Sequence, residues 1–167
     1  MLKGKVFKFG DGISTDDITP GRFIYLRSKL PELARHVFED VNPGFIEQVK
    51  SGDFVVGGKN FGLGSSREHA PIIIKMAGVS AVLAKSFARI FFRNAINVGL
   101  PVLICDTDKI NDGDELEVDL EKGIINNQTN KAQLSFSKIP GVMLRILDEG
   151  GLIPYIKKYK SLDVLGQ

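Results

Sequence analysis

Short apolar runs alternate with stretches of helical spacing through most of this chain. Val6-Phe7-Lys8-Phe9 reads as a first strand, which Gly10-Asp11-Gly12 breaks into a polar loop from Ile13 to Thr19. Pro31 to Asp40 has helical spacing, with Leu33, Val37 and Phe38 turned inward. Asp53 to Val56 reads as a short strand entering a Gly-rich loop. The helix after that loop is expected from about Ser65 to Met76. Ser65-Ser66-Arg67-Glu68 has the capping-box pattern that starts it, Gly78 is placed to end it, and Pro71 bends or delays it. Val79 to Ala84 is a near-continuous apolar strand, Ser86 to Val98 another helix, and Pro101 to Cys105 a further buried strand. Parallel strands need long crossovers, so this β-loop-α-β-α-β order predicts at least partly parallel pairing.

The last third follows another rule. Glu115-Leu116-Glu117-Val118-Asp119-Leu120 alternates polar and apolar, as a half-exposed strand does, and Ala132 to Ser137 is expected to lie beside it. Pro140 to Glu149 reads as a helix ended by Gly150-Gly151, followed by a short helix through Lys158. Without a repeat, a low-complexity tract or a linker, the expectation is one α/β domain spanning residues 1–167.

Composition narrows the function. With 43% hydrophobic and 25% charged residues among 167, the chain suits an ordinary globular core that needs no disulfide or structural metal. The net charge of +2 comes from dispersed Lys and Arg, which argues against nucleic acid as a partner. No apolar run approaches spanning length and Met1 leads straight into a strand pattern, so neither a membrane nor a secretory path is expected, and the cytoplasm is. One Cys and two His cannot assemble the three or four ligands of a zinc or iron-sulfur centre. Cys105, at the end of an apolar run, reads as a buried structural thiol.

The chemistry concentrates in Gly58-Lys59-Asn60-Phe61-Gly62-Leu63-Gly64-Ser65-Ser66-Arg67-Glu68-His69. Its glycines let a ligand approach the backbone, and an expected helix start beside Arg67 offers amides and a two-pronged guanidinium to an anion. That pattern points to a small acidic substrate. It lacks the third glycine of a dinucleotide loop and the Gly-Lys-Ser/Thr of a phosphate loop. On spacing alone, Ser65 is either a helix cap or a reactive hydroxyl.

Lys8 to Pro20, containing Ser14-Thr15-Asp16-Asp17-Ile18-Thr19, the Gly58 to His69 loop, and Lys85-Ser86-Phe87-Ala88-Arg89-Ile90-Phe91-Phe92-Arg93-Asn94 together resemble the three signature blocks of the 3-isopropylmalate dehydratase small-subunit family, in the aconitase superfamily. The resemblance covers nearly the whole chain. It implies a swivelling β/β/α domain of the aconitase C-terminal-domain type that closes over a large subunit, as a heterodimer or heterotetramer. It also implies a [4Fe-4S] cluster held by that partner, none bound by this chain, and reversible dehydration of a small di- or tricarboxylic acid.

By the same resemblance, Ser65 falls on the base that removes the substrate carbon's proton, and Ser66 and Arg67 on its carboxylate clamp. Asp16 matches the active-site aspartate, with Thr15 and Thr19 as neighbouring hydroxyls; the plain alternative is an Asp-rich turn, of which Asp17 is an example. Arg27, in Tyr25-Leu26-Arg27-Ser28, lies on the segment that distinguishes substrates. An apolar residue there suits an isopropyl group, whereas arginine suits a third carboxylate, as in homoaconitate. Arg22 competes for that role, and Arg27 also reads as solvent-facing. His69 reads as a hydrogen-bonding neighbour of the site, His36 as structural or exposed, and Phe87, Phe91 and Phe92 as packing. A non-catalytic carboxylate-binding module is the reading from a different class.

Overall fold

The computed structural model describes residues 1–160; the last seven residues of the expected domain, 161–167, lie outside the described residues. Seven strands form one sheet in the order β4-β3-β2-β1-β5-β6-β7. They are β1 (Leu2–Lys8), β2 (Phe54–Val56), β3 (Ala81–Ala84), β4 (Val102–Ile104), β5 (Glu115–Asp119), β6 (Ile124–Asn127) and β7 (Gln133–Ser135). Strands β1 to β4 pair in parallel, as the βα rhythm predicts. Strands β5 to β7 pair antiparallel, with β5 joined to β1.

Each parallel connection steps one place in the same direction. With the right-handed crossover that twisted strands impose, one-directional steps put the helices on one face. These helices are α1 (Thr15–Ile18), α2 (Leu30–Ala34) and α3 (Phe45–Gln48) before β2, α4 (His69–Met76) before β3, and α5 (Arg89–Asn97) before β4. α2 touches α4 and α4 touches α5, while α6 (Gly141–Asp148) and α7 (Leu152–Tyr159) extend the layer beside α5. The sheet curls until the chain beyond β7 meets β4: Cys105 bridges Phe136, and the Ser137 amide donates to the Ile104 carbonyl at 2.9 Å. β2 and β3, covered on both sides, are buried at every position.

Three expectations are corrected. The helix set to begin at Ser65 begins at His69, with Glu68 as its N-cap and no side-chain cap bond. Pro71 supplies the reason. In a helix started at Ser65 its nitrogen would owe a hydrogen bond to the Arg67 carbonyl, but proline has no donor and its ring would strike that carbonyl. The carbonyl instead accepts from the Ala70 amide at 3.1 Å. A true capping box forms at Ser14, whose hydroxyl accepts from the Asp17 amide while the Asp17 carboxylate accepts from the Ser14 amide. Asp17, read above as part of an Asp-rich turn, is therefore the N3 partner of a helix cap. Finally, the strand near 132–137 does not neighbour β5, because β6 intervenes.

Candidate active site

The loops that follow β1, β2 and β3 all leave the carboxyl end of the parallel strands, where open α/β sheets gather ligands. They are laced together through the backbone. Gly12 donates to the Lys59 carbonyl at 2.8 Å, Gly62 to Ile13 at 2.7 Å, and Thr15 to Leu63 at 2.8 Å. Phe61 donates to Ser86 at 3.0 Å and Ala88 to Phe61 at 2.9 Å. The three sequence blocks, far apart along the chain, thus become one structure. Beneath them runs a line of rings: Phe9 on Phe38 at 4.5 Å, Phe38 on Phe61 at 6.5 Å, and Phe61 on Phe91 at 5.4 Å between centroids. Edge-to-face and offset contacts of this kind give the mobile-looking glycine loop a rigid floor.

Glycine is required at two points of that loop. A Cβ at Gly58 would lie 1.8 Å from Asp11 Oδ1, and one at Gly62, where φ is +83°, would lie 2.2 Å from the Phe91 ring. Any side chain there would push the loop off its floor.

A cavity of about 210 Å³ opens above this floor, lined by the polar residues Thr15, Ser65, Ser66, Arg67, Arg89 and Asn94 together with the apolar Ala88, Ile90 and Phe91. Ser65 and Ser66 are exposed. Thr15 is buried, donates to the Ser65 carbonyl at 2.9 Å and has its Oγ1 3.4 Å from Ser65 Oγ. The Arg67 guanidinium donates to Asp16 Oδ1 at 3.0 Å and to the Thr19 carbonyl. Asp16 also receives the Gly21 amide at 3.0 Å, which fixes the carboxylate that fixes the arginine. Exposed ion pairs contribute little stability, so the value of this one lies in aim.

Thr19 enters through its backbone; its side chain is fully buried and Oγ1 has no hydrogen-bond partner among the described residues. The amides of Ser65 and Ser66 donate to no acceptor among the described residues, so two donors remain for an anion. Helix α4 starts four residues after Ser65, so its positive end is not at the serine, as the capping pattern had led us to expect. Arg67 and these loop amides supply the local positive potential instead.

Arg22 is removed from the competition, because it pairs with Asp40 and Glu39 at 2.7 Å and 3.0 Å. Arg27 is exposed, does not line the cavity and makes no ion pair among the described residues. Its charge nonetheless reaches His69. Burial holds the His69 imidazole below its ordinary value, with the positive charges of Arg67 and Arg27 acting in the same direction and Glu68 opposing. His69 Nε2 is buried without a partner among the described residues. His36 stacks on Phe23 at 3.8 Å, a structural role. Arg89 and Asn94, from the third sequence block, both line the cavity.

The residues present do not suit an iron-sulfur cluster. No group of three His, Cys, Asp or Glu side chains converges among the described residues, and burial raises the Cys105 thiol to about 12, far from the thiolate a cluster needs.

Known proteins give this geometry a context. Residues 38–106 match the aconitase C-terminal domain family. The chain is 63% identical to 3-isopropylmalate dehydratase small subunit 2 of Archaeoglobus fulgidus, over 98% of this chain and 99% of the relative. It is 58% identical to small subunit 1 of Thermotoga maritima, over 96% and 98%. An isopropylmalate/citramalate isomerase small subunit from Methanocaldococcus jannaschii is 54% identical over 95% of each chain. A solved structure titled 3-isopropylmalate dehydratase, also from M. jannaschii, superposes with a TM-score of 0.91 at 45% identity and covers 99% of both chains. The fold and site thus define a swivelling domain of the aconitase superfamily. Within it, the chain belongs to the 3-isopropylmalate dehydratase small-subunit family.

Proposed function

We propose that this chain works in the cytoplasm with a cluster-bearing large subunit to interconvert 2-isopropylmalate and 3-isopropylmalate by dehydration and rehydration, a step of leucine biosynthesis. The observation that carries the reading is the convergence of Ser65, Ser66 and the Asp16–Arg67 pair on one cavity at the mouth of the parallel strands. The Lewis acidity needed at the substrate hydroxyl belongs to the [4Fe-4S] cluster of the large subunit.

This chain's part is to hold the substrate and move one proton. Ser66, the free loop amides and the outer edge of Arg67 grip a carboxylate, which places the acidic C–H against Ser65 Oγ. Serine is a poor base, so its alkoxide must be stabilised by fixed positive potential in a site closed to water. Asp16 keeps Arg67 aimed there. Thr15, 3.4 Å from Ser65 Oγ, steadies the hydroxyl and ties down the Ser65 carbonyl. The test is reconstitution. The chain alone should be inactive on 3-isopropylmalate and gain activity with its large subunit; a complex that binds the acid but turns over none would leave only a binding module.

Arg27 supports a second reading within the same chemistry. A guanidinium left facing an isopropyl group would be unpaired and costly, whereas a third carboxylate, as in homoaconitate, would satisfy it. What supports that reading is the place of Arg27 in Tyr25-Leu26-Arg27-Ser28, the segment that the family resemblance assigns to substrate discrimination. The relative from M. jannaschii carries both isopropylmalate and citramalate in its name. An Arg27→Val variant of the complex, assayed on isopropylmalate, citramalate and homoaconitate, decides it: an unchanged preference removes Arg27 as selector.

A further inference from the structure

The cavity above Ser65 is one of three recesses that run into each other. Arg89 lines both it and a groove of about 440 Å³ between α5 and α6, whose other walls include Phe92, Arg93, Val142 and Met143. Phe92 and Met143 in turn line a smaller cleft against β4, beside Ile104 and Lys138. The surface so traced carries exposed apolar side chains, Ile90 at 53% and Ile104 at 36%. Its charged residues are all cations, since no Asp or Glu lines any of the three recesses. The two recesses around Asp53, at the amino end of β2, also hold Glu47, Asp112, Glu115 and Glu117.

The cations of this surface are unused within the chain. Arg89 and Arg93 are exposed and make no hydrogen bond or ion pair among the described residues. On other flanks of the site the charges are paired internally, Arg22 with Glu39 and Asp40, and Lys85 with Asp108 at 2.7 Å. A stable interface takes about 800 Å² and roughly 20–30 residues from each partner, more than the mouth of one cavity offers. The cluster-bearing large subunit has to cover that mouth to reach a substrate at Ser65, and the apolar ground continuous with it runs along α5 to α6. Phe, Met and Arg, which line that ground, are the residue types enriched in interfaces. We propose that the α5/α6 groove and its arginines are a docking surface for the large subunit, which meets them with apolar side chains flanked by Asp or Glu. The assignment rests on the dehydratase reading above and adds to it the place where the partner is held.

The test is the affinity of the cluster-loaded large subunit for the full chain, read by calorimetry. Arg93→Glu should raise Kd about tenfold or more and flatten its rise with salt, because an attracting cation becomes a repelling anion. Met143→Glu, which sets a charge against apolar side chains of the partner, should raise Kd by a similar factor. Lys122→Glu, between β5 and β6, should leave Kd unchanged. With the large subunit at saturation, kcat and KM of Arg93→Glu should match the wild type, which separates docking from substrate binding. Unchanged affinity in either groove variant overturns the assignment, and so does a KM defect at saturation. Two other occupants would overturn it with signatures of their own. If Met143→Glu turns a dimer of this chain into monomers while large-subunit affinity holds, the groove is a contact between copies. If Met143→Glu and a chain ending at Lys160 lose the same melting temperature while affinity holds, the groove belongs to residues 161–167. If the wild-type chain neither binds a large subunit nor gains turnover with one, the dehydratase reading itself fails.

Discussion

The parallel strands β1 to β4 and the antiparallel strands β5 to β7 share one sheet, yet they differ in what their connections can hold. β2 and β3 are buried at every residue, whereas β5, β6 and β7 alternate buried and more exposed positions. Antiparallel strands close with tight turns. Asp119 Oδ1 gathers the Glu121 and Lys122 amides at 3.1 Å and 3.0 Å, and Asn127 Oδ1 gathers those of Thr129 and Asn130 at 3.0 Å and 3.2 Å. Those turns are saturated by their own side chains. Parallel strands need crossovers, and the loops entering them gather at one end with donors unused. The cavity residues come from the segments after β1, β2 and β3, so the candidate site belongs to one half of the sheet.

That division is sharpest in the largest expected effect. Ser65→Ala, at an exposed loop position, should lower kcat of the reconstituted enzyme by about a hundredfold or more, in the range of general-base losses, without moving the melting temperature. Near-normal turnover would show that the proton leaves by another group. The mirror experiment lies across the sheet. Ile125, fully buried on β6, should cost about 2–5 kcal/mol when cut to alanine, through lost transfer energy and a residual cavity. Thermal or denaturant unfolding reads that loss, while KM and kcat per folded molecule should hold. A kinetic defect would mean that the antiparallel half positions the site and does not merely support it.

Asp16→Asn tests aim, and its effect should be smaller than either. The guanidinium would keep the Thr19 carbonyl but lose its carboxylate anchor, so kcat/KM should fall about tenfold. Stability should move by less than about 0.5 kcal/mol, since Asp16 is mostly exposed. A large stability loss would place this loop with the structural half.

The same contrast governs what could be read in advance. Continuous apolar runs such as Val79 to Ala84 announced the buried parallel strands through local composition, whereas the three blocks pointed to the candidate site through their resemblance to a known family. β6 escaped because Ile124-Ile125-Asn126-Asn127 ends in two polar residues. Asn127 is almost wholly buried, and its amide donates to the buried Asp114 carboxylate at 2.6 Å, a partner thirteen residues away that no local pattern reveals. The start of α4 was misplaced because two local signals competed. A capping-box pattern at Ser65 met a proline at position 71, and the proline, which removes a donor outright, outweighs a cap worth about 1 kcal/mol. The correction matters for chemistry, since it moves the positive end of α4 away from Ser65 and Ser66 and leaves Arg67 and the loop amides as the positive groups beside them.

The smallest expected effect separates the two halves by pH. Burial, then Arg67 and Arg27, hold the His69 imidazole below its ordinary value of 6.5, against the opposing pull of Glu68. Above that value folded and unfolded chains are both neutral at this position, and its contribution is fully present. As pH falls below 6.5, the unfolded chain takes up the proton first, so stability declines until pH drops through the lower folded value. His69→Gln should flatten that part of the stability-pH curve, measured by denaturant unfolding between pH 7 and about 5. Ile125→Ala should shift the whole curve down without changing its slope there. If His69→Gln leaves the slope intact, the imidazole titrates normally and the charges of Arg67 and Arg27 do not converge on it.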